Sequence, residues 1–270
     1  MQYDPIKRSL GNIFNKTPFL RKLFYRLLDI LLLRTWHIKK AIRTWNQNTH
    51  KSLEILDAGS GFGQYSYFLS GLPNVKQLTG IDVKVEQIND CNAFFKKINR
   101  TNTTFKIGDL TTYQEKEKYD LILCVDVMEH ILDDQIVFNN FFHSLKPHGM
   151  LLISTPSDQG GSDAQEDHDS FIGEHVRDGY AVKEIEEKLN KSGFTQINAS
   201  YVYGVPGSIS WRLSMKYPIQ LLGISKLFFV ILPFYYLILF PFCLILNYFD
   251  VIGKHSKGTG LIVKAIKDKR

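Results

Sequence analysis

Three glycines at alternate positions, Gly59, Gly61 and Gly63, follow the apolar run Leu53–Ala58, which carries Asp57 near its end. Glycine tolerates positive φ and lets a ligand lie against the backbone, and the free N–H groups of a helix starting near Gln64 would face the same crevice. Such a turn suits a nucleotide. A dinucleotide fingerprint, G-x-G-x-x-G, would need glycine at position 64, where this chain has Gln64. Asp82 stands nineteen residues beyond Gly63, the interval at which a carboxylate on the neighbouring strand accepts hydrogen bonds from both hydroxyls of a ribose. Asp109, in Ile107-Gly-Asp-Leu110, is placed to accept from an exocyclic amine, with the backbone N–H and apolar face of Leu110 beside it. Taken singly, an aspartate at a strand end is more often a turn residue or helix cap than a ligand. Their order makes them a set.

The elements that must position this set alternate regularly. Strand-like runs are predicted at Leu53–Ala58, Gln77–Val83, Thr103–Gly108, Tyr119–Val127 and Met150–Thr155, with helical runs at Gln64–Ser70, Val85–Asn99 and Asp133–Leu145. Alternation of this kind specifies an α/β fold, a doubly wound, mostly parallel sheet covered on both faces, with ligands at the carboxyl ends of its strands. The glycine turn, Asp82, Asp109 and Asp126-Val-Met-Glu-His130 all fall just after strands.

At 270 residues and 44% hydrophobic, the chain can fill one substantial core and carry additions. Its three cysteines, Cys91, Cys124 and Cys243, are too few and scattered for a disulfide framework or a zinc site, which favours a reducing compartment. The net charge of +6 is uneven: residues 1 to 51 hold eleven Lys or Arg against Asp4 and Asp29, so the remainder is slightly acidic. Within this arm, Pro18 to Trp45 interleaves charges with apolar residues at helical spacing, with Pro18 suited to a first turn. One reading is an amphipathic helix, or two, lying on an anionic membrane over residues 18–45. The other is a helical cap over the chain's own pocket with a solvated basic face, and one helix could do both. Leucine is too dense here for a phosphate-binding face, so no nucleic-acid partner is expected. A cleavable signal peptide is not expected either, because the apolar stretch begins late and carries Asp29.

These motifs resemble the class I S-adenosylmethionine-dependent methyltransferases over roughly residues 50 to 204 and again at the last strand. Asp57-Ala-Gly-Ser-Gly-Phe-Gly63 is similar to the family's first motif, Gly80-Ile-Asp82 to its ribose motif and Ile107-Gly-Asp-Leu110 to its adenine motif. Tyr119 to His130, followed by Leu145-Lys-Pro-His-Gly149 and Leu151–Thr155, resembles the branch that includes ubiquinone-biosynthesis O-methyltransferases. The resemblance implies S-adenosyl-L-methionine as cofactor, held by Asp57, Gly59, Ser60, Gly61, Gly63, Asp82, Val83, Asp109, Leu110 and Val125. It also implies seven strands with an antiparallel last one. His148 departs from the branch, which commonly has glycine there. The pair Glu129-His130 is read as pocket wall and helix entry in preference to a catalytic pair.

The loop Pro156–Gly179 is polar and acidic and leaves the cofactor edge of the sheet, as an acceptor lid would. Methyl transfer to a hydroxyl needs in-line positioning and removal of a proton, and histidine suits the latter near neutral pH. His168 and His175 are the candidates, with Asp169 or Glu174 to orient them; the alternative is a merely solvated loop. The mixture of His, Asp and Glu would allow a divalent metal, but no ligand geometry is identifiable and none is predicted.

A helix is expected at Val182–Ser192, a sixth strand at Phe194–Tyr203 and the last strand at Gly260–Lys267, with 56 residues between the two strands. That insertion contains Leu227–Phe249, 23 residues without a charge, long enough to span a bilayer as a helix. A single crossing would strand the last strand on the far side. With Pro233 and Pro241 inside the run and Pro218 and Gly223 before it, a re-entrant or in-plane helical hairpin over residues 218–252 is expected, its many aromatics suited to an interface. An apolar lid or an oligomer interface is the competing reading.

The expected organisation is therefore a basic helical arm (1–50), a cofactor-binding core (51–204), an apolar insertion (205–259) and a last strand with tail (260–270). The expected protein is a methyltransferase on the cytoplasmic face of a membrane, peripheral or monotopic. Its acceptor would be a hydroxyl or phenol of a hydrophobic or lipid-linked molecule. Alternatives are methylation of a glycan, glycolipid or amine head group, and a non-catalytic cofactor-binding scaffold.

Overall fold

The computed structural model describes residues 17–47, 51–160, 176–225 and 227–268. Seven strands form one sheet, β1 (Leu53–Ala58), β2 (Val75–Asp82), β3 (Thr103–Ile107), β4 (Tyr119–Val125), β5 (Leu145–Pro156), β6 (Gln196–Val202) and β7 (Gly260–Ile266). Their order is β3-β2-β1-β4-β5-β7-β6. The first five are parallel, and β7 runs antiparallel between β5 and β6, so β6 points the same way as the first five. The reversal of strand order falls between β1 and β4, where a doubly wound sheet opens its crevice.

β1 and β4 are almost continuously apolar and buried, as a sheet covered on both faces requires. One face packs under α5 (Asp134–Ser144) and α6 (Val182–Ser192), around Phe138, Phe141, Ile185 and Leu189. The other receives the N-terminal arm, which forms two helices, α1 (Pro18–Leu31) and α2 (Leu33–Gln47). Pro18 opens α1 as expected, and Thr17 caps it by accepting the Leu20 N–H on its hydroxyl at 3.2 Å. Ile38 and Ile42 of α2 are completely buried against Leu53, Ile55, Leu121 and Leu123. Each such side chain stabilises the fold by about 1.5–3 kcal/mol. This packing seats the arm's second helix on the chain's own sheet. It does not consume the whole amphipathic surface: Phe19 (73% exposed), Leu23, Leu27 and Ile30 make an outward stripe along α1.

The strands and helices lie within a few residues of their predicted bounds. The exception is β5, which starts at Leu145 and runs through the predicted Lys-Pro-His-Gly turn. His148 there adopts φ 63°, the left-handed region, which accounts for glycine's usual place at this position in the resembling branch.

Between β6 and β7 the insertion is a helical hairpin. Its first limb is a continuous run of α7 (Val205–Trp211), a π-helical turn (Arg212–Lys216) and α8 (Tyr217–Ile224); its second is the 25-residue α9 (Phe228–Ile252). Pro218 has no N–H to give back to the preceding turn, and the π-helical turn before it changes the spacing of donation along the limb. The hydroxyls of Tyr235 and Tyr236 on α9 donate to the backbone carbonyls of Leu213 and Ser214 at 2.7 and 2.8 Å and join the limbs. Beyond that seam the hairpin is bare: Phe234, Leu237 and Ile238 are 67%, 75% and 74% exposed. Among the described residues α9 is the one helix long and apolar enough to cross a membrane. Its far end, however, returns to β7 in the sheet.

Candidate active site

At the end of β1 the chain turns through Gly59 (φ 78°), Gly61 (φ 51°) and Gly63 (φ 81°) into α3 (Gln64–Leu69). The turn is fastened to the neighbouring strand: the N–H groups of Gly59 and Ser60 donate to the Ile81 carbonyl at 2.8 and 2.9 Å. The Gly61 N–H donates to the Asp82 carboxylate at 2.8 Å. At Gly59 a β-carbon would lie 2.2 Å from the Val127 side chain, so glycine is required by space as well as by φ. At Gly61 the nearest group to such a carbon is the Gln87 amide oxygen at 3.8 Å, so this glycine borders open space on the crevice side.

Asp57 lies beneath the turn, 2% exposed, its carboxylate accepting from the Ser66 hydroxyl of α3. Burial raises its pKa to about 6. Asp82 uses its second oxygen to accept the N–H of Lys84 at 2.9 Å, just before α4 (Val85–Lys97). Val83 is 62% exposed just past it, and Ile107, paired in register with Asp82, is 55% exposed at the end of β3. Two bare apolar side chains thus stand at adjacent strand ends. Asp109 folds into a local turn, one oxygen accepting both the N–H and the hydroxyl of Thr111 at 2.8 Å. The carbonyl of the buried Leu110 accepts from Asn140 at 2.9 Å. Val125 ends β4, and Asp126 follows at φ 50°.

Several groups of this site had no distinguishing signal in the sequence. Arg34 of α2 reaches across to pair with Asp126. Its backbone N–H also donates to the Tyr203 hydroxyl at 3.1 Å, which lies just past β6. Arg21 and Tyr25 of α1 both donate to the Phe62 carbonyl inside the glycine turn, at 2.8 and 2.5 Å, while Arg21 also pairs with Asp90 at 2.6 Å. Nothing but their place in a basic, amphipathic arm marked these residues. Glu129 is buried, accepts from Thr155 at 3.2 Å and has its pKa pushed up to about 8 by burial and then by the charge of Asp126. The six glycines and aspartates of the predicted cofactor set, Asp57, Gly59, Gly61, Gly63, Asp82 and Asp109, lie at the carboxyl ends of β1, β2 and β3; His168 and His175 lie outside the described residues.

A cofactor with an adenosyl group and a charged tail fits this edge on the protein's own terms. The Ser60 hydroxyl is buried without a hydrogen-bond partner among the described residues, and the Gly61 backbone faces unfilled space. The fold, the glycine turn and the strand-end aspartates define a class I S-adenosylmethionine-dependent methyltransferase, with S-adenosylmethionine as its cofactor. Residues 49–200 match a family described as a methyltransferase domain, and the chain belongs to that family.

Curated relatives include (S)-coclaurine N-methyltransferase of Papaver somniferum, 29% identical over 99 residues (37% of this chain, 28% of that protein). Phosphoethanolamine N-methyltransferase 1 of Triticum aestivum is 30% identical over 148 residues (54% and 29%). Ubiquinone biosynthesis O-methyltransferase of Rickettsia akari is 30% identical over 121 residues (44% and 45%). The matches thus span less than half the length of each of these relatives. Among solved structures, Haemonchus contortus phosphoethanolamine N-methyltransferase 2 in complex with S-adenosyl-L-methionine superposes with a TM-score of 0.61 at 18% identity, covering 87% of this chain and 53% of that one. A putative sarcosine dimethylglycine methyltransferase from Galdieria sulphuraria gives 0.56 at 19%, covering 87% and 84%. At these identities the two structures share the fold.

Proposed function

We propose that this methyltransferase works at a membrane surface and methylates a hydroxyl or phenol of a hydrophobic or lipid-linked acceptor. The observation that carries the reading is the bare apolar hairpin. It leaves the sheet after β6 and returns at the start of β7, which is the carboxyl edge of the parallel strands and therefore the edge of the glycine turn. An exposed apolar surface of this extent is costly in water and is relieved by lipid. Arm and hairpin are tied together at the hairpin root, where Asp250 accepts from His37 at 2.8 Å and the Val251 carbonyl accepts from Lys40 at 2.6 Å. The pocket and the membrane-facing parts are thereby held as one unit.

In this reading the cofactor supplies an electrophilic methyl group on a sulfonium. Asp82 accepts from the ribose hydroxyls, Val83 and Ile107 flank the adenine, and Asp109 with Leu110 reads its edge. Asp57, Gly59, Ser60, Gly61 and Gly63 receive the methionine portion, and Val125 closes the floor. His168 and His175 are the proposed bases for the acceptor hydroxyl. The phosphoethanolamine N-methyltransferase relatives favour a second reading, transfer to an amine head group. One assay addresses both: incubation with labelled S-adenosylmethionine and a membrane extract, followed by mass analysis of the methylated product. Label in an organic-soluble O-methyl product, lost in His168→Ala or His175→Ala with cofactor binding intact, is the expected result. Label on nitrogen selects the second reading, and no transfer to any extract removes both.

A further inference from the structure

The glycine turn is gripped from outside the core. Arg21 of α1 is 2% exposed, and its guanidinium divides between three partners: Nη1 pairs with Asp90 at 2.6 Å, Nε donates to the Tyr25 hydroxyl at 2.7 Å, and Nη2 donates to the Phe62 carbonyl at 2.8 Å. Its central carbon lies over the Phe94 ring, 4.4 Å from the centroid. Tyr25, also buried, donates its own hydroxyl proton to the same carbonyl at 2.5 Å, and burial raises its pKa, so the phenol stays a donor. One backbone oxygen within the turn thus takes two side-chain donors from a helix that lies outside residues 49–200.

A buried arginine is a weak source of stability, because desolvation offsets the ion pair and an apolar side chain of similar size packs as well. A turn with three glycines, in contrast, has many backbone states to lose, and a ligand that must order it binds more weakly by that amount. Holding the Phe62 carbonyl fixes the plane of its peptide, and with it the Gly63 N–H on the opposite side, which donates to the Ser60 carbonyl at 2.9 Å. The Gly61 N–H is held by Asp82. Gly63 itself makes room for the grip: a β-carbon there would lie 3.1 Å from the Cys91 sulfur and 3.5 Å from the Tyr25 hydroxyl oxygen.

We propose that Arg21 and Tyr25 are positioning residues for the cofactor: α1 sets the glycine turn in the conformation that receives S-adenosylmethionine, so the cofactor site is completed by a helix outside the methyltransferase core. Both side chains act through the backbone of the turn. Positioning of this kind follows from the cofactor class alone, whereas the end of the cofactor that lies at the turn rests on the assignment of its methionine portion given above.

The test is calorimetric titration of the full chain with S-adenosylhomocysteine and with 5′-methylthioadenosine, which lacks the amino-acid tail, beside thermal melts. Tyr25→Phe keeps the ring and removes one donor. It is expected to weaken S-adenosylhomocysteine about three- to tenfold, the worth of one hydrogen bond. Arg21→Gln should weaken it by at least about tenfold, because a charge-assisted donor is lost. Ile38→Val trims a buried side chain of α2 that packs on the sheet, so it should lower the melting temperature and leave the affinity unchanged. If Arg21→Gln does not fold, Tyr25→Phe decides alone. Wild-type affinity in either folded variant of α1, or the same loss of affinity in Ile38→Val, would overturn the proposal. A loss confined to S-adenosylhomocysteine supports both the positioning role and the methionine portion at the turn. Equal loss for the two ligands supports the positioning role and assigns the turn to the nucleoside end instead.

Discussion

Arg34, in the second helix of the arm, forms an ion pair with Asp126, the residue that follows β4 in a left-handed conformation. This contact joins a segment outside the methyltransferase core to the rim of the cofactor crevice. Both side chains are about one third exposed, so the pair's contribution to stability is about 1 kcal/mol. A double-mutant cycle on Arg34→Ala and Asp126→Ala should return a coupling of that size in chemical denaturation. Strictly additive effects would show that the arm is held by its apolar face alone.

Asp82 supports the glycine turn and faces the crevice. Asp82→Ala should weaken S-adenosylhomocysteine affinity by more than the ~1 kcal/mol of an ordinary hydrogen bond. Gly61→Ala, whose new methyl enters open space at φ 51°, should cost affinity more than stability. Titration calorimetry beside thermal melts separates the two quantities, and unchanged affinity in Asp82→Ala would take that residue out of the site.

Glu129 gives a pH dependence of defined sign. Its carboxyl has a pKa of about 8 in the folded protein, and an unfolded glutamate lies near ~4.3. Between these values the folded state binds the extra proton, so stability falls as pH rises and the loss is complete only above the folded pKa. Glu129→Gln should flatten this slope between about pH 5 and 8 relative to the wild type, a difference that also excludes the smaller contribution of Asp57. Parallel curves for the two proteins would mean that Glu129 is ionised in the fold.

For the membrane, removal of Leu227–Phe249 should release the protein from anionic liposomes in flotation. Charge neutralisation at Lys22 and Arg26 should weaken flotation mainly at low salt, because screened surface charge adds little beyond a Debye length of roughly 8–10 Å. Equal flotation by the shortened chain would leave the hairpin as an interface or lid.

The strands, the glycine turn and the aspartates after β2 and β3 were legible because each is signalled by residues close in sequence: an apolar run, a turn, an acid. The arm's role was not. Arg34 and Asp126 are 92 positions apart, and no local pattern tells an arginine that pairs inside from Lys22 or Arg26, which share its helical arm. The fate of the carbonyls before Pro218 was hidden for the same reason, since Tyr235 and Tyr236 are 22 positions beyond them. His148 marks a subtler limit: the sequence departs from glycine, yet the backbone keeps glycine's conformation.

The position of β7 has a consequence for how the molecule is made. β7 lies between β5 and β6, so β6 has no partner in the sheet until residues 260–266 have been synthesised. By then the whole of Phe228–Ile252 has already been made. The order of translation therefore releases the chain's most apolar helix before its catalytic sheet is complete.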